Sequence, residues 1–303
     1  MITRFAPSPT GPLHLGHACS AILAHDMARA AGGRFLLRFE DIDRQRCRPE
    51  WETAALDDLA WLGLRWDAPP LRQSSRLPAH RAALARLWDE GLLYPCTCTR
   101  RDIAEALAAP QETRPPRVPS GSPAPRPEAV QAAATGPDGP VYPGTCRTRP
   151  RPAHMPDDAH LRLDMGAALE RIAGRPLSFT ETGPGHAGTV TTTPAQYRRD
   201  IGDIVLARRD FGTSYHLAVT IDDAAQGITH VVRGEDLFTS TRVHVLLQVI
   251  LGLPVPDYHH HRLIRDEQGR RLAKRDDARA LSRYRDDGAT PEDIRRMAGL
   301  DLG

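Results

Sequence analysis

The spacing of apolar residues at the start of the chain predicts alternating strands and helices. Residues 2–8 indicate a short buried strand that enters a Pro/Gly turn, and residues 17–33 have the spacing of a helix that ends at two glycines. The run RFLLRFEDID at 34–43 predicts the next strand. This order is a βαβ unit whose turn joins a strand's carboxyl end to a helix, and open α/β sheets bind ligands at that edge.

Two more helices are predicted before residue 92. Residues 50–64 and 77–91 each place their apolar side chains on one helical stripe, and Gly91 suits the end of the second helix. The stripes consist of Trp51, Ala55, Leu59 and Leu62 in the first helix, and of Leu77, Leu84, Leu87 and Trp88 in the second.

The remainder of the chain begins with a break in this pattern. Twelve of the 27 prolines lie at 110–152, among many Ala, Arg, Gly and Thr residues, so we expect a mobile loop there. Residues 203–237 predict a strand, a hairpin, a second strand, a turn and a third strand. Residues 240–253 predict a helix that is capped by Ser240 or Thr241 and ends at Gly252.

Composition excludes several classes of protein. A chain of 303 residues with 40% hydrophobic side chains and a formal net charge of +2 fits one large or two modest globular domains. It has no run of eighteen apolar residues and no basic-then-apolar leader, so we expect a cytoplasmic protein without a membrane partner. Its pI of about 8.4 permits contact with nucleic acid but does not argue for it alone. The odd count of five cysteines favours thiol or metal chemistry over a disulfide framework.

Two segments carry chemistry that suits a nucleotide. The turn RFAPSPTGPLHLGH at 4–17 offers glycines for close backbone approach, a helix amino end, and His14 and His17 as donors. The segment GRRLAKRDDA at 269–278 sets Lys274 among arginines, which suits a polyphosphate. The alternatives are an ordinary Pro/Gly turn and a solvated run of charge.

Together the two segments resemble the signatures of class I aminoacyl-tRNA synthetases. HLGH at 14–17 is similar to His-Ile-Gly-His, and RLAKR at 271–275 is similar to Lys-Met-Ser-Lys-Ser, from which it departs at the first lysine and the serine. The resemblance implies an α/β, Rossmann-like catalytic domain that binds ATP with Mg²⁺. It implies that ATP is bound by His14, Gly16, His17 and Lys274, and that His14, His17 and Lys274 are catalytic.

Further segments narrow the resemblance to the catalytic half of glutamyl-tRNA synthetases. RFEDID, YHLAVTIDD, GITHVVRGEDL and STRVHVLL occur in the same order as in that family. The family continues into a long helical anticodon-binding region, whereas this sequence ends at residue 303, so we expect a truncated paralogue. Such paralogues attach glutamate to the queuosine base in the anticodon loop of tRNA(Asp).

The resemblance implies that the partners are ATP, L-glutamate and tRNA(Asp) carrying queuosine, and we expect a monomer. The sequence leaves two alternatives open. One is a truncated glutamyl-tRNA synthetase that charges a tRNA 3′ end. The other is a non-enzymatic, RNA-binding module that keeps the synthetase fold.

A glutamate pocket needs donors for two carboxylates and an acceptor for one ammonium group. The resemblance implies that Arg4 and Arg233 bind the carboxylates, in either pairing, that Glu40 accepts from the ammonium group, and that Tyr215 adds a hydroxyl. The wall of the pocket is then formed by Phe5, Ala6, Pro7 and Ser8.

A third constellation, in YPCTCTR and VYPGTCR, resembles the zinc site of this family. Its ligands would be Cys96, Cys98, Tyr142 and Cys146 around a structural Zn²⁺ that joins the two ends of the proline-rich stretch. His154 or water could replace the tyrosine, and the alternative is a group of buried, unreactive thiols. Three adjacent histidines at 259–261 are not expected to bind metal, because neighbours in an extended segment point to opposite sides.

These interpretations predict four consecutive regions. Residues 1–92 form the first half of the Rossmann-like domain, and 93–189 form a zinc-bearing insertion with the proline-rich loop. Residues 190–255 form the second half, and 256–303 form the Lys274 loop with a short helical tail.

Overall fold

A computed structural model describes residues 1–108, 134–264 and 279–300. Residues 109–133 and all of the segment with Lys274 lie outside these residues, so the expectations for them are untested. The described remainder of the proline-rich stretch is not a simple loop, because Thr135–Gly136 pairs with Gly139–Pro140 and both Tyr142 and Cys146 are buried. Within the three ranges, no helix has both the length and the apolar character needed to cross a membrane.

Helices and strands alternate along most of the described chain. The helices are α1 (Leu15–Ala30), α2 (Pro49–Trp61), α3 (Leu77–Asp89), α4 (Arg100–Ala108), α5 (Met165–Arg171), α6 (Pro194–Gln196), α7 (Tyr215–Ala225), α8 (Phe238–Leu251), α9 (Leu281–Asp286) and α10 (Pro291–Met297). The strands are β1 (Ile2–Phe5), β2 (Arg34–Phe39), β3 (Leu71–Arg72), β4 (Leu93–Cys96), β5 (Thr135–Gly136), β6 (Gly139–Pro140), β7 (His160–Leu163), β8 (Ser178–Glu181), β9 (Gly188–Thr191), β10 (Val205–Ala207), β11 (His230–Gly234) and β12 (Asp257–His261).

Two mainly parallel sheets meet side by side and position the candidate site. One has the order β1-β2-β3, and the other has the order β11-β12-β8-β9, in which only β9 is antiparallel to its neighbour. The N–H of Thr229 donates to the carbonyl of Ile2 at 3.0 Å, which joins the beginnings of β11 and β1. Their carboxyl ends therefore lie at one edge, where α/β sheets bind ligands.

Helix α1 packs closely against this junction. It contacts β1, β2 and β11, and the four alanines that it turns towards them are fully buried. Small side chains let the helix backbone approach the sheet, which brings the amino end of α1 to the carboxyl end of β1. The four residues are Ala18, Ala21, Ala24 and Ala28.

A third sheet and the end of the chain complete the architecture. Strands β10, β7 and β4 form an antiparallel sheet within the region that follows residue 92. Helices α9 and α10 form the predicted helical tail, where Leu281 and Ile294 are fully buried and Arg295 pairs with Asp26 of α1 at 2.5 Å. The predicted division at 92/93, 189/190 and 255/256 remains a prediction.

The predicted second strand within 203–237 is wrong, because residues 215–225 form helix α7. Ser214 caps this helix by accepting from the N–H of Leu217. Most side chains of α7 are buried between its neighbours, including two aspartates. A helix that is buried on nearly every side shows no polar stripe, so its apolar run resembles a strand.

Two predicted helix starts are also wrong. Helix α8 begins at Phe238 after a 3₁₀ turn, so Ser240 and Thr241 lie in its first turn and do not cap it. Helix α1 begins at Leu15, because His14 acts as its cap. The predicted end of α8 is confirmed, since Gly252 adopts the left-handed conformation at φ 69°.

Candidate functional site

A cleft of about 590 Å³ opens at the shared carboxyl edge of β1 and β11. Its walls come from β1, the turn after it, the start of α1, the start of α7 and the end of β11. All of the sequence-predicted ligand-binding residues within the described ranges line this cleft, namely Arg4, Phe5, Ala6, Pro7, Ser8, His14, Gly16, His17, Glu40, Tyr215 and Arg233.

The two histidines of the turn form the cap of α1. Nδ1 of His14 accepts from the N–H of Gly16 at 3.1 Å, and Nδ1 of His17 accepts from the N–H of His14 at 3.2 Å. The rings stack with their centroids 3.8 Å apart. Because both Nδ1 atoms accept, each neutral ring carries its proton on Nε2. The helix amino end thus gains two side-chain donors, which suits an anion.

Described residues on both sides of the segment that contains Lys274 lie at this cleft or against its turn. Leu263 and Ile264, which precede the segment, line the cleft. After it, Ala280 pairs with His14 in an antiparallel bridge, and the N–H of Leu281 donates to the carbonyl of Leu13 at 2.9 Å. Lys274 itself lies outside the described residues, whereas the residues that flank its segment on both sides lie at the cleft or against its turn.

Four buried charged residues, Arg4, Arg38, Glu40 and Asp223, form an ion-paired floor, of which Arg4 and Glu40 line the cleft. Arg4 binds Asp223 through Nε and Nη2 at 3.0 and 3.3 Å, and Arg38 contacts the same carboxylate at 2.6 Å. Arg38 also contacts Glu40 at 3.3 Å. Burial alone would raise the pKa of Asp223, but the two guanidinium groups lower it below the usual value. For Glu40 burial outweighs Arg38 and Arg4, so its pKa is raised.

Arg233 is held differently. Its Nε donates to Nε2 of His260 at 3.1 Å, and its Nη1 contacts Nδ1 of His244 at 3.3 Å. Nη2 donates to Oγ1 of Thr241 at 2.7 Å and to the carbonyl of Leu237 at 3.2 Å. Arg233 is only 6% exposed, so these contacts fix its orientation at the wall of the cleft.

The three adjacent histidines take separate places. His260 faces Arg233 and Glu181, whereas Nε2 of His261 contacts Oγ of Ser20 at 2.7 Å on the wall beside α1. This alternation is the geometry of an extended strand. Among the described residues, the group with three or more metal-ligating side chains in reach of one another lies elsewhere, at the cysteines.

The cysteine cluster lies outside the cleft. Sγ of Cys98 and Sγ of Cys146 are 3.4 Å apart, and Oη of Tyr142 lies 3.5 Å from Sγ of Cys96 and 3.4 Å from Sγ of Cys98. Around a tetrahedral ion with metal–sulfur bonds of about 2.3 Å and a metal–oxygen bond of about 2.0 Å, two sulfur atoms lie about 3.8 Å apart and a sulfur and an oxygen about 3.5 Å apart. The four side chains therefore fit such an ion. His154 is exposed and does not belong to this metal-ligating group.

Several residues that lie behind the cleft wall have roles that the sequence motifs do not reveal. Arg38 and Asp223 belong to the quoted segments RFEDID and YHLAVTIDD, yet nothing in the spacing predicts their ion pair, and the signal that could have drawn attention to them is a charge where burial is expected. His216 and His244 belong to the quoted segments YHLAVTIDD and STRVHVLL, yet nothing in the spacing brings them together.

Comparison with known proteins agrees with this geometry. The family model described as tRNA synthetases class I (E and Q), catalytic domain, matches residues 1–122 and 186–301. A glutamyl-Q tRNA(Asp) synthetase of Rhodobacter capsulatus is 61% identical over 99% of this chain and 100% of its own length.

Solved structures extend the comparison to three dimensions. A glutamate tRNA ligase from Elizabethkingia meningosepticum, crystallised with its amino acid, superposes with a TM-score of 0.72 and 27% identity. It is matched over 100% of this chain, which spans 61% of the ligase. Methionyl-tRNA synthetase of Mycobacterium tuberculosis shares the fold alone, with a TM-score of 0.55 and 8% identity over 98% of this chain and 63% of its own. The chain therefore belongs to the class I tRNA synthetases of the E and Q type, in the branch of the glutamyl-Q tRNA(Asp) synthetases.

Proposed function

We propose that the cleft binds ATP and L-glutamate side by side, forms glutamyl-AMP and transfers the glutamyl group to the queuosine base of tRNA(Asp). The observation that carries this proposal is the convergence of a donor-rich helix end and a set of buried arginines on one cleft. The name of the relative that is 61% identical supports the same reaction.

The activation step follows from the placement of charge. An oxygen of the glutamate α-carboxylate attacks the α-phosphorus of ATP, the bond to the bridging oxygen breaks, and pyrophosphate leaves. Negative charge on the phosphoryl oxygens then faces the Nε2–H groups of His14 and His17 and the amino end of α1. Lys274, whose segment is flanked by residues at the cleft, would add a positive charge here, and Mg²⁺ bound with ATP would supply further neutralisation of the phosphate charge.

The amino acid has its own complementary groups. Arg4 and Arg233 provide donors for the two carboxylates, Glu40 accepts from the ammonium group, and Tyr215 provides a hydroxyl. Residues 5–8 line the wall beside them. In the transfer step, a hydroxyl of the queuosine cyclopentenediol attacks the activated carbonyl carbon, and AMP leaves.

Changing His17 separates capping from catalysis. We expect His17→Ala to lower kcat of glutamate-dependent pyrophosphate exchange by about 10²- to 10³-fold, the usual loss for one oxyanion donor. His17→Asn keeps an acceptor for the N–H of His14 but has no Nε2–H, so it should restore thermal stability and not kcat. A His17→Asn enzyme with near-normal kcat would contradict a phosphoryl contact.

We propose that the cysteine cluster holds one structural Zn²⁺ through Cys96, Cys98, Tyr142 and Cys146. Three thiolates with one phenolate match the softness and coordination number of zinc, and the ion would hold the segments around residues 96 and 146 together.

Elemental analysis tests the zinc site. We expect about one zinc per chain. Cys146→Ser should lower this content and increase proteolysis near the cluster. Cys19→Ser should leave both unchanged, because Cys19 is buried in α1 against His261, away from the cluster. Equal zinc content in the two variants would contradict the proposed ligands.

The transfer reaction is tested with labelled glutamate, ATP and tRNA from cells with and without queuosine. We expect label on tRNA(Asp) only when the modified base is present, and nuclease mapping should find it in the anticodon loop. Label at the 3′ end would support a truncated glutamyl-tRNA synthetase. Absence of both ATP binding and labelling would support a non-enzymatic RNA-binding module.

We also propose that the enzyme works in the cytoplasm, where its substrates ATP and tRNA are found, and that it works as a monomer. The four predicted regions, 1–92, 93–189, 190–255 and 256–303, are part of the same proposal.

A further inference from the structure

We propose that His244 and His260 are positioning residues that hold Arg233 through uncharged acceptors, and that this arrangement makes the cleft select glutamate over glutamine. The inference rests on the proposed function of the cleft as a glutamate site. It concerns side chains behind the cleft wall, which contact Arg233 and not the substrate.

The two arginines of the cleft have opposite surroundings. Arg4 and Arg38 face Asp223 and Glu40, so the two positive charges of the floor meet two carboxylates. Arg233, within the part of the chain that the structure covers, contacts two imidazoles, a hydroxyl and a carbonyl but no carboxylate. Its charge is therefore the uncompensated one at the cleft wall.

The imidazole of His244 is the inner end of a hydrogen-bonded chain. Its Nδ1 accepts from Arg233, so its Nε2 carries the proton and donates to Nδ1 of His216 at 3.1 Å. His216 in turn donates through Nε2 to the carboxylate of Asp138 at 3.0 Å. Two neutral rings thus separate Arg233 from the nearest carboxylate along this path.

His260 also stands between Arg233 and a carboxylate, in contact with Nε of the guanidinium group. Its Nδ1 donates to Glu181 at 2.5 Å, which leaves Nε2 to accept from Nε of Arg233. Burial and the neighbouring Arg233 lower the pKa of His260 to about 4, in spite of Glu181. Burial and Arg233 also lower the pKa of His244 well below its usual value. Both rings are therefore neutral near pH 7.

This arrangement matches the charge of one ligand. Bound glutamate carries two carboxylates and one ammonium group, so its net charge of −1 balances Arg233, whereas glutamine is neutral overall and leaves Arg233 buried and uncompensated. Four of the five guanidinium N–H groups of Arg233 are used by its neighbours within the described chain. The fifth, on Nη1, remains for the ligand.

The ring of Tyr215 packs against the imidazoles of His216 and His244. Its ring centroid lies 5.4 Å from that of His216 and 5.7 Å from that of His244, both in edge-on contact. Since Tyr215 lines the cleft, the histidine pair supports two neighbouring parts of the amino-acid wall.

The experiment compares His244→Asn with His244→Asp in the full-length protein. The two side chains have the same shape and offer an acceptor where Nδ1 stands, but only aspartate supplies a charge that neutralises Arg233. We expect His244→Asn to keep the glutamate KM within about threefold, and His244→Asp to raise it about 10- to 100-fold in pyrophosphate exchange. The ATP KM should change little in both. The preference for glutamate over glutamine should fall in His244→Asp alone.

Equal glutamate KM and equal amino-acid preference in the two variants would overturn the inference while the wild-type exchange still supports the proposed function. Failure of the wild type to exchange with glutamate would instead contradict the proposed function. In that case, calorimetry compares the affinities of the two His244 variants for glutamate and glutamine, and it tests the inference without catalysis. If His244→Asp does not fold, His260→Gln, which keeps a neutral acceptor near Nε2, should retain the preference, and its loss would count against the inference.

Discussion

Replacing Arg233 with glutamine is expected to reduce kcat/KM for glutamate by about 10²- to 10³-fold, because losing one partner of a buried charge pair costs ~2–5 kcal/mol. Glutamine retains an amide donor but no charge, so a substrate carboxylate loses its electrostatic partner. The end of the cleft with His14 and His17 stays intact. The ATP KM should therefore change less than about threefold, because distant sites act almost independently.

The matched control is Arg199→Gln, which removes a guanidinium that is 70% exposed and paired with Asp200. It should leave both kinetic constants unchanged, since exposed ion pairs contribute little. An Arg233→Gln enzyme with a normal glutamate KM would show that the amino acid does not bind at this wall.

Asp223→Asn is expected to lower the free energy of unfolding by about 3–5 kcal/mol, the cost of leaving a buried charge without its partner. Arg4 is 5% exposed and Arg38 is fully buried, and both depend on the Asp223 carboxylate. Glu40 would remain as the carboxylate in direct contact with Arg38. Chemical denaturation followed by circular dichroism measures this loss.

Asp257→Asn provides the comparison for stability. Its carboxylate is 44% exposed and lies 3.5 Å from His230, so its loss should change the unfolding free energy by less than about 1 kcal/mol. Similar destabilisation in the two variants would contradict the role of Asp223 as the shared counterion of the cleft floor.

Local patterns predict the first part of the fold well. The predicted last residues of α1, α2 and α3 agree with the structure within three residues, because each helix carries its buried apolar side chains on one face. Helix α7 shows where this reasoning fails. Its buried surroundings remove the polar stripe, and only its tertiary neighbours reveal its type.

The candidate site likewise has a part that local sequence patterns predict and a part that they do not. The motif residues that converge on the cleft carry recognisable local signals, such as the turn with His14 and His17. The contacts between buried charges carry no such signal, because Arg4 and Arg38 are separated from Asp223 by 219 and 185 positions in the sequence. Spacing along the chain holds no information on such contacts. Charge compensation, which distinguishes Arg4 from Arg233, is therefore visible only in three dimensions.

The most direct test of the proposal that one cleft joins ATP to glutamate is pyrophosphate exchange in the absence of tRNA. The proposal predicts exchange that requires L-glutamate and is not supported by L-glutamine. Exchange that needs tRNA, or that proceeds equally well with glutamine, would contradict it.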